Sequence, residues 1–214
     1  MIPVLFTLLL NQPIDVRVKQ FHKVEGGEAF LKQTAFDAKA GMQARWRSLT
    51  TLGRIDSTRF QPEIERALQS KDWYMRNAAL IALQSCKREE AVKWSMKLVT
   101  DPALVVRTQA VRNLVRLDAH EAEPLLWREI FSPRNFKGQE SLWVRGHMAE
   151  ALSRFGTPGR AKYFEKLLRE PDERLHKWAV AGLEMSTGFK MTTKEEPVEI
   201  RRQKWLARLG GEGI

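Results

Sequence analysis

The sequence has too few cysteines and no histidine cluster for disulfide or metal chemistry. Cys86 is the only cysteine among 214 residues, which excludes an intramolecular disulfide. None of the four histidines stands at metal-ligand spacing with a second histidine, and the pair His147 and Glu150 lacks a third ligand. Gly-rich phosphate loops, nucleophile elbows and Ser/His/Asp arrangements are also missing from the sequence. We therefore expect no metal, no cofactor and no catalytic residue.

Long apolar runs are equally scarce. The best candidate, residues 2–10, is nine residues long, which is too short to cross a bilayer as a helix. It has the length of a signal-peptide core, but no Lys or Arg precedes it and no small-x-small cleavage site follows at Asn11–Pro13. We predict no transmembrane segment and favour a cytoplasmic protein over an exported one whose signal peptide would be residues 1–13.

Acidic residues are in deficit. The chain has 26 Asp and Glu against 36 Lys and Arg, a formal charge of +10. This excess favours an acidic protein, a nucleic acid or an anionic membrane face as partner, and does not choose among them. The apolar fraction of 43% argues against a disordered chain.

An internal repeat dominates the sequence. Apolar or small residues recur three, four and seven positions after a series of anchor residues, spaced by 31, 31, 38 and 31 positions. The anchors are Arg45, Arg76, Arg107, Arg145 and His176. After Arg107, for example, Ala110, Val111 and Leu114 form one stripe of a helix. A second amphipathic helix follows in most units, so stacked helical hairpins are predicted to bury a continuous core.

The segments before and after the repeats have different sequence patterns. Ile14, Val16 and Val18 alternate with charged residues, which is a strand-like period, although an isolated strand would have no partner here. Residues 28–40 are predicted to be a helix. Three segments follow from this pattern: an N-terminal segment, 1–40; the repeats, 41–187; and a C-terminal part, 188–214. The last contains a capping helix around Trp205 and a capping box at Thr192-x-x-Glu195.

Residues 101–114, from Asp101-Pro102 through the anchor Arg107 to Leu114, resemble the HEAT family, in particular the short bacterial HEAT-like repeats of the phycobilin-lyase type. Residues 70–83 and 170–183 echo the same pattern. The resemblance implies an all-α, right-handed α-solenoid of about five stacked hairpins with a C-terminal capping helix. It also implies that each anchor pairs with an acidic residue of an inter-repeat turn; the candidates are Asp72, Asp101 and Asp172.

Basic residues recur on the second helices. The position 21 residues after the anchor is basic in all four units where it is defined, and we call this set the basic column: Arg66, Lys97, Arg128 and Lys166. Lys93 and Lys162 lie one turn earlier, and Arg169 follows Lys166 by three residues. Equal offsets align in a solenoid, so the column is predicted to line the concave face and bind a partner. The alternative is an ordinary solvated helix face.

Two further features could contact a partner. The insertion at residues 132–138 lengthens one repeat step, and its Arg134, Phe136 and Lys137 are candidate contacts in a surface loop. The seven Trp residues are predicted to pack inside the repeats, with Trp127 as the best candidate for exposure.

These features predict a non-catalytic interaction module that binds an acidic macromolecular partner along a basic concave face, and they favour an acidic protein as that partner. The alternative is nucleic-acid binding along the same column. An enzymatic variant of the alternative is an alkylpurine DNA glycosylase, a class that includes HEAT-like proteins of this size, but the Trp-Trp-Asp run that would support it is missing.

Overall fold

The computed structural model describes residues 2–191, 193 and 195–211. These residues form thirteen α-helices, three short 3-10 turns and one two-stranded hairpin. The all-α repeat predicted from the sequence is thereby confirmed. The chain divides into two compact units, residues 1–113 and 114–214. None of the described helices has the length and apolar character needed to span a membrane.

The first unit is built from antiparallel helices whose apolar stripes face one another. Its helices are α1 (Ile2–Leu10), α2 (Ile14–Lys23), α3 (Gly27–Phe36), α4 (Met42–Asp56), α5 (Gln61–Leu68), α6 (Trp73–Ala82), α7 (Arg88–Leu98) and α8 (Leu104–Arg116), whose last turn lies in the second unit. The predicted stripe positions Leu49, Leu52, Leu80 and Val111 are all fully buried. Gly53 of α4 lies so close to Ala82 of α6 that an added Cβ would clash with it.

The second unit continues the helical pattern and adds the hairpin. Its elements are α9 (Glu123–Ile130), β1 (Phe136–Lys137), β2 (Glu140–Ser141), α10 (Val144–Phe155), α11 (Ala161–Arg169), α12 (Glu173–Thr187) and α13 (Val198–Gly211). Leu114, Leu152 and Leu183 are buried in its core. The predicted C-terminal helix is confirmed as α13, because Trp205 is fully buried and Arg202 Nε donates to Leu168 O at 2.9 Å. Thr192 of the predicted capping box lies outside the described residues.

Two local predictions at the N-terminus are corrected. The strand-like alternation at residues 14–18 belongs to helix α2, whose Arg17 and Phe21 are buried with the i, i+4 spacing of a helix. Five alternating residues are too few to separate the two periods, and a strand would have left its backbone groups unpaired. Helix α3 ends at Phe36 rather than at residue 40, because Asp37 is extended and its Oδ1 accepts from Lys39 N at 2.8 Å.

The insertion at residues 132–138 is ordered by its own contacts. It forms a 3-10 turn at Pro133–Asn135 and then enters strand β1, which pairs with β2. Asn135 is fully buried, and its Nδ2 donates to Glu129 O at 2.7 Å. Gly138 makes the tight turn with φ of 63°, a conformation that favours glycine.

Candidate partner-binding surface

The anchor arginines are structural residues that link neighbouring repeats. Arg45 Nη1 lies 3.0 Å from Asp72 Oδ2, and Arg76 binds Asp101 through two hydrogen bonds of 2.6 and 2.8 Å. The hydrogen bonds that Arg76 donates to Asp101 raise the pKa of Arg76, in spite of partial burial. The pairing predicted for Asp72 and Asp101 is therefore confirmed. Bidentate pairs of this kind fix both distance and orientation between repeats.

The anchors also satisfy carbonyl groups near the end of the preceding helix, a role that the sequence reasoning missed. Arg76 Nη1 donates to Ser70 O at 2.8 Å, Arg107 Nη1 to Asp101 O at 2.7 Å, and Arg145 Nε to Ile130 O at 2.7 Å. His176 Nε2 lies 2.8 Å from Glu170 O, so the histidine reaches the same kind of carbonyl. The signal was the position of Arg76, Arg107 and His176 one turn into their helices, just after a helix end whose last carbonyls lack partners.

The prediction that Asp172 pairs with an anchor is wrong. Asp172 accepts from Arg174 Nε at 2.8 Å, whereas Glu170 takes Arg145, with Nη2 to Oε1 at 2.8 Å. Burial opposes ionisation of Asp172, but its hydrogen bonds from Arg174 and Ser141 outweigh this effect and lower its pKa. Glu170 can reach the fully buried Arg145 because it leaves helix α11 one residue after its end.

The basic column is exposed, and three of its four cations lie over aromatic rings. Arg66 is 4.2 Å from the ring centre of Phe36, Lys97 is 4.7 Å from Trp94, and Lys166 is 4.1 Å from Phe131. None of these three cations has a carboxylate within ion-pair distance among the residues that the structure describes. A ring of this kind holds a cation in place without neutralising it.

The remaining predicted contacts differ in pairing. Arg128 is 72% exposed and its Nε is 3.9 Å from Glu129 Oε1. Lys93 lies 3.4 Å from Glu90, and Arg169 binds Glu165 at 2.8 Å. Lys162 is exposed, with no ion pair inside the described part of the chain. The least neutralised cations of the set are therefore the three over rings together with Lys162.

Positive charge is not spread evenly over the second helices. Helix α11 carries Lys162, Lys166 and Arg169 against one acid, Glu165. Helix α5 instead has Arg66 against two acids. Arg66 and Lys97 lie in the first unit, and Arg128 and Lys166 in the second. The alignment of all four in one line stays a prediction.

A groove lies between helices α3 and α5 of the first unit. It encloses about 680 Å³, and Arg66, Phe36 and Gln33 line it. Lys32 and Glu63 cross it as an ion pair of 2.6 Å. Arg66 is therefore the cation of this groove that keeps its charge available for a partner.

The residues predicted in the insertion lie at its surface or beneath it. Arg134 is exposed, and its Nε is 3.4 Å from Glu129 Oε2. Lys137 is exposed at the tip of the hairpin, whereas Phe136 is half-buried and lies 4.2 Å beneath the guanidinium of Arg145. Phe136 thus supports an anchor as well as the loop.

The choice of Trp127 as the exposed tryptophan is wrong. Trp127 is 6% exposed, and its Nε1 donates to Glu123 Oε1 at 2.9 Å. Tyr163 covers its ring at a centroid distance of 5.0 Å. The exposed tryptophans are instead Trp73 and Trp143, at 45% and 49%, close to the beginnings of α6 and α10.

Groups that could carry metal or thiol chemistry do not converge in the described residues. No group of three or more His, Cys, Asp or Glu side chains there could hold a metal ion. Cys86 is half-buried in a small pocket beside Trp94. Burial raises the pKa of its thiol, which lowers its reactivity.

Comparison with known proteins agrees with this geometry. The sequence-family model described as HEAT repeats matches residues 39–115 and 63–130. Among solved structures, an engineered protein studied as a structural genomics target matches 86% of this chain and 87% of its own, with a TM-score of 0.59 and 19% identity. At that identity the likeness concerns the fold alone. A search of curated proteins returned no significant match.

The fold therefore defines a helical-repeat protein built from stacked hairpins. Within that class, the match over residues 39–130 and the anchor pairs between successive turns identify it as a protein with HEAT-like repeats.

Proposed function

We propose that this protein is a non-catalytic interaction module that binds an acidic macromolecular partner through its second helices. The observation that carries the proposal is the division of its basic residues into two kinds. Anchors such as Arg45, Arg76 and Arg145 are paired with carboxylates and carbonyls. The cations Arg66, Lys97 and Lys166 are exposed and supported by aromatic rings.

Exposed cations without an ion pair among the described residues favour an anionic partner for a simple electrostatic reason. A cation already paired inside the protein must give up that pair before it can bind a ligand, whereas a free one gains the whole interaction. The ring beneath each side chain also restricts its motion, so less conformational entropy is lost on binding. We expect α11, with three cations and one acid, to contribute most.

We favour an acidic protein segment over a nucleic acid as the partner. The rings of Phe36, Trp94 and Phe131 are covered by the protein's own cations, which leaves these faces unavailable for stacking on bases. Glu65, Glu90 and Glu165 sit on the same helices and would repel a dense row of phosphates. Carboxylates spaced along a peptide could avoid these acids.

Titration with two labelled probes tests the proposal. Polyglutamate and a short DNA duplex are each titrated by fluorescence anisotropy over a series of salt concentrations. We expect the wild type to bind polyglutamate. The double change Lys162→Glu and Lys166→Glu should weaken this binding at least about tenfold. The matched control is Arg169→Glu, because Arg169 is already paired with Glu165 and should matter less.

Two results would contradict the proposal or redirect it. Tight duplex binding with a steep salt dependence, and weak polyglutamate binding, would favour the nucleic-acid alternative. Failure of both probes with the folded protein would remove the basic column as a binding surface.

A further inference from the structure

The first unit contains a buried arginine, Arg17, two of whose nitrogen atoms have no hydrogen-bond partner among the described residues. Arg17 of helix α2 is only 4% exposed. Its Nε and Nη1 are shielded from solvent and make no hydrogen bond within the described part of the chain. Those two atoms carry three N–H donors, and burying unpaired donors on a charged group destabilises a fold strongly.

A second guanidinium lies close to the first one. Arg47 of helix α4 is near enough to repel Arg17, and burial together with this repulsion lowers the pKa of Arg17. Arg47 Nη1 donates to Leu10 O at 3.4 Å and also to Asn11 Oδ1. Neither arginine is paired with a carboxylate in the residues that the structure describes. Within the described residues, these two cations therefore have no counter-charge at the junction of α1, α2 and α4.

A ligand that could pair with both guanidinium groups is an oxyanion, because its oxygens accept several charge-assisted hydrogen bonds at once. We propose that Arg17 and Arg47 form a binding site for a phosphate-type oxyanion at this junction. The turn Asn11–Pro13, which joins α1 to α2, contacts Arg47 through Asn11. The site is separate from the second-helix cations and does not depend on the function proposed above.

Helix α1 indicates where such an anion could come from. Its Phe6 and Leu10 pack into the core, while Val4, Leu5 and Leu8 project outward at 66%, 48% and 61% exposure. These three positions share one face of the helix, and α1 contains no charged residue. A helix with this exposed stripe beside cations suits the surface of an anionic bilayer. A lipid headgroup would therefore supply the phosphate together with an apolar contact, whereas free phosphate would supply the charge alone.

Thermal unfolding of the full chain tests the oxyanion site. Melting temperatures are measured in sodium phosphate and in sodium chloride at equal ionic strength. Phosphate stabilises many proteins because it is excluded from their surface. The informative quantity is therefore the difference between variants in the Tm shift that phosphate causes. We expect phosphate to raise the Tm of the wild type by several degrees more than that of Arg17→Met. In chloride, Arg17→Met should melt higher than the wild type, because a buried unpaired charge has been removed.

The matched control is Arg54→Met, which removes the same charge from an exposed position on α4. It should keep the full phosphate response of the wild type. An equal phosphate response in the wild type and Arg17→Met would overturn the proposal. So would a lower Tm of Arg17→Met in chloride, because that would mean the arginine is already satisfied.

Vesicle sedimentation separates the two sources of the anion. Phosphatidylglycerol vesicles are compared with phosphatidylcholine vesicles. A lipid headgroup ligand predicts binding to phosphatidylglycerol that falls at least about fivefold in both Arg17→Met and Leu8→Glu. A phosphate response without vesicle binding supports the site with free oxyanion as its ligand. Vesicle binding that Arg17→Met leaves unchanged, together with no specific phosphate response, would overturn the site.

Discussion

At the scale of the residue, the position of an arginine in the repeat decides its role. The anchor Arg76 is mostly shielded, and Asp101 beneath it is 3% exposed. Lys97 is exposed on the second helix of the same repeat, over Trp94. The two side chains carry the same charge, but only the first completes a buried pair. Loss of Arg76 should therefore lower stability, whereas loss of Lys97 should weaken binding.

The change Arg76→Gln should lower the free energy of unfolding by about 2–4 kcal/mol, because it leaves Asp101 buried without its cation. Urea denaturation followed by circular dichroism measures the effect. Lys97→Gln is the matched control and should change stability by less than about 0.5 kcal/mol. A similar loss in both variants would mean that the pairing of Arg76 adds nothing specific.

Glu123 offers a pH-dependent test at the same scale. Burial opposes its ionisation, but hydrogen bonds from Thr157, Arg160 and Trp127 outweigh burial and lower its pKa. A lowered carboxyl pKa stabilises the fold above the unfolded value, near 4.3, and this contribution is lost as the pH falls below it. We expect Glu123→Gln to melt well below the wild type at neutral pH, and the gap to narrow in acid. A gap that widened in acid would contradict the hydrogen-bond geometry.

At the scale of the element, the helical hairpin depends on its apolar stripe. Leu114 lies seven residues after the anchor Arg107 and is fully buried. Leu114→Ala should cost about 2–5 kcal/mol through lost burial and a cavity. Val105→Ala on the same helix is the control, because Val105 is 38% exposed. Equal melting temperatures for the Leu114 variant and the wild type would contradict the packing described here.

Periodicity predicted these elements well because burial of one helix face requires an apolar residue at every third or fourth position. This apolar pattern located the anchors, the stripe and the capping helix around Trp205. It could not predict that Phe36 and Phe131 support cations, since each ring is 30 or 35 residues away from its partner on a neighbouring helix. The error at Trp127 has a similar cause, because the ring that covers its indole belongs to Tyr163 on helix α11.

Short segments and turns were less predictable than the long helices. The alternation at residues 14–18 fits a strand and a helix equally, and the packing of α2 selects the helix. The acid that pairs with Arg145 could not be chosen from the sequence, because Glu170 and Asp172 both stand in the turn after α11. The structure assigns Glu170 to Arg145 and Asp172 to Arg174.

At the scale of the whole molecule, the central claim is that its basic residues divide into anchors, which stabilise the repeats, and column residues, which bind an acidic partner. The most direct test compares Arg76→Gln with the double variant Lys97→Glu and Lys166→Glu, measuring Tm and polyglutamate affinity for each. We predict that the anchor variant melts at least about 5 °C lower, while the column variant keeps its Tm and binds at least about tenfold more weakly. Unfolding of the column variant, with weaker binding but unchanged stability in the anchor variant, would contradict the claim.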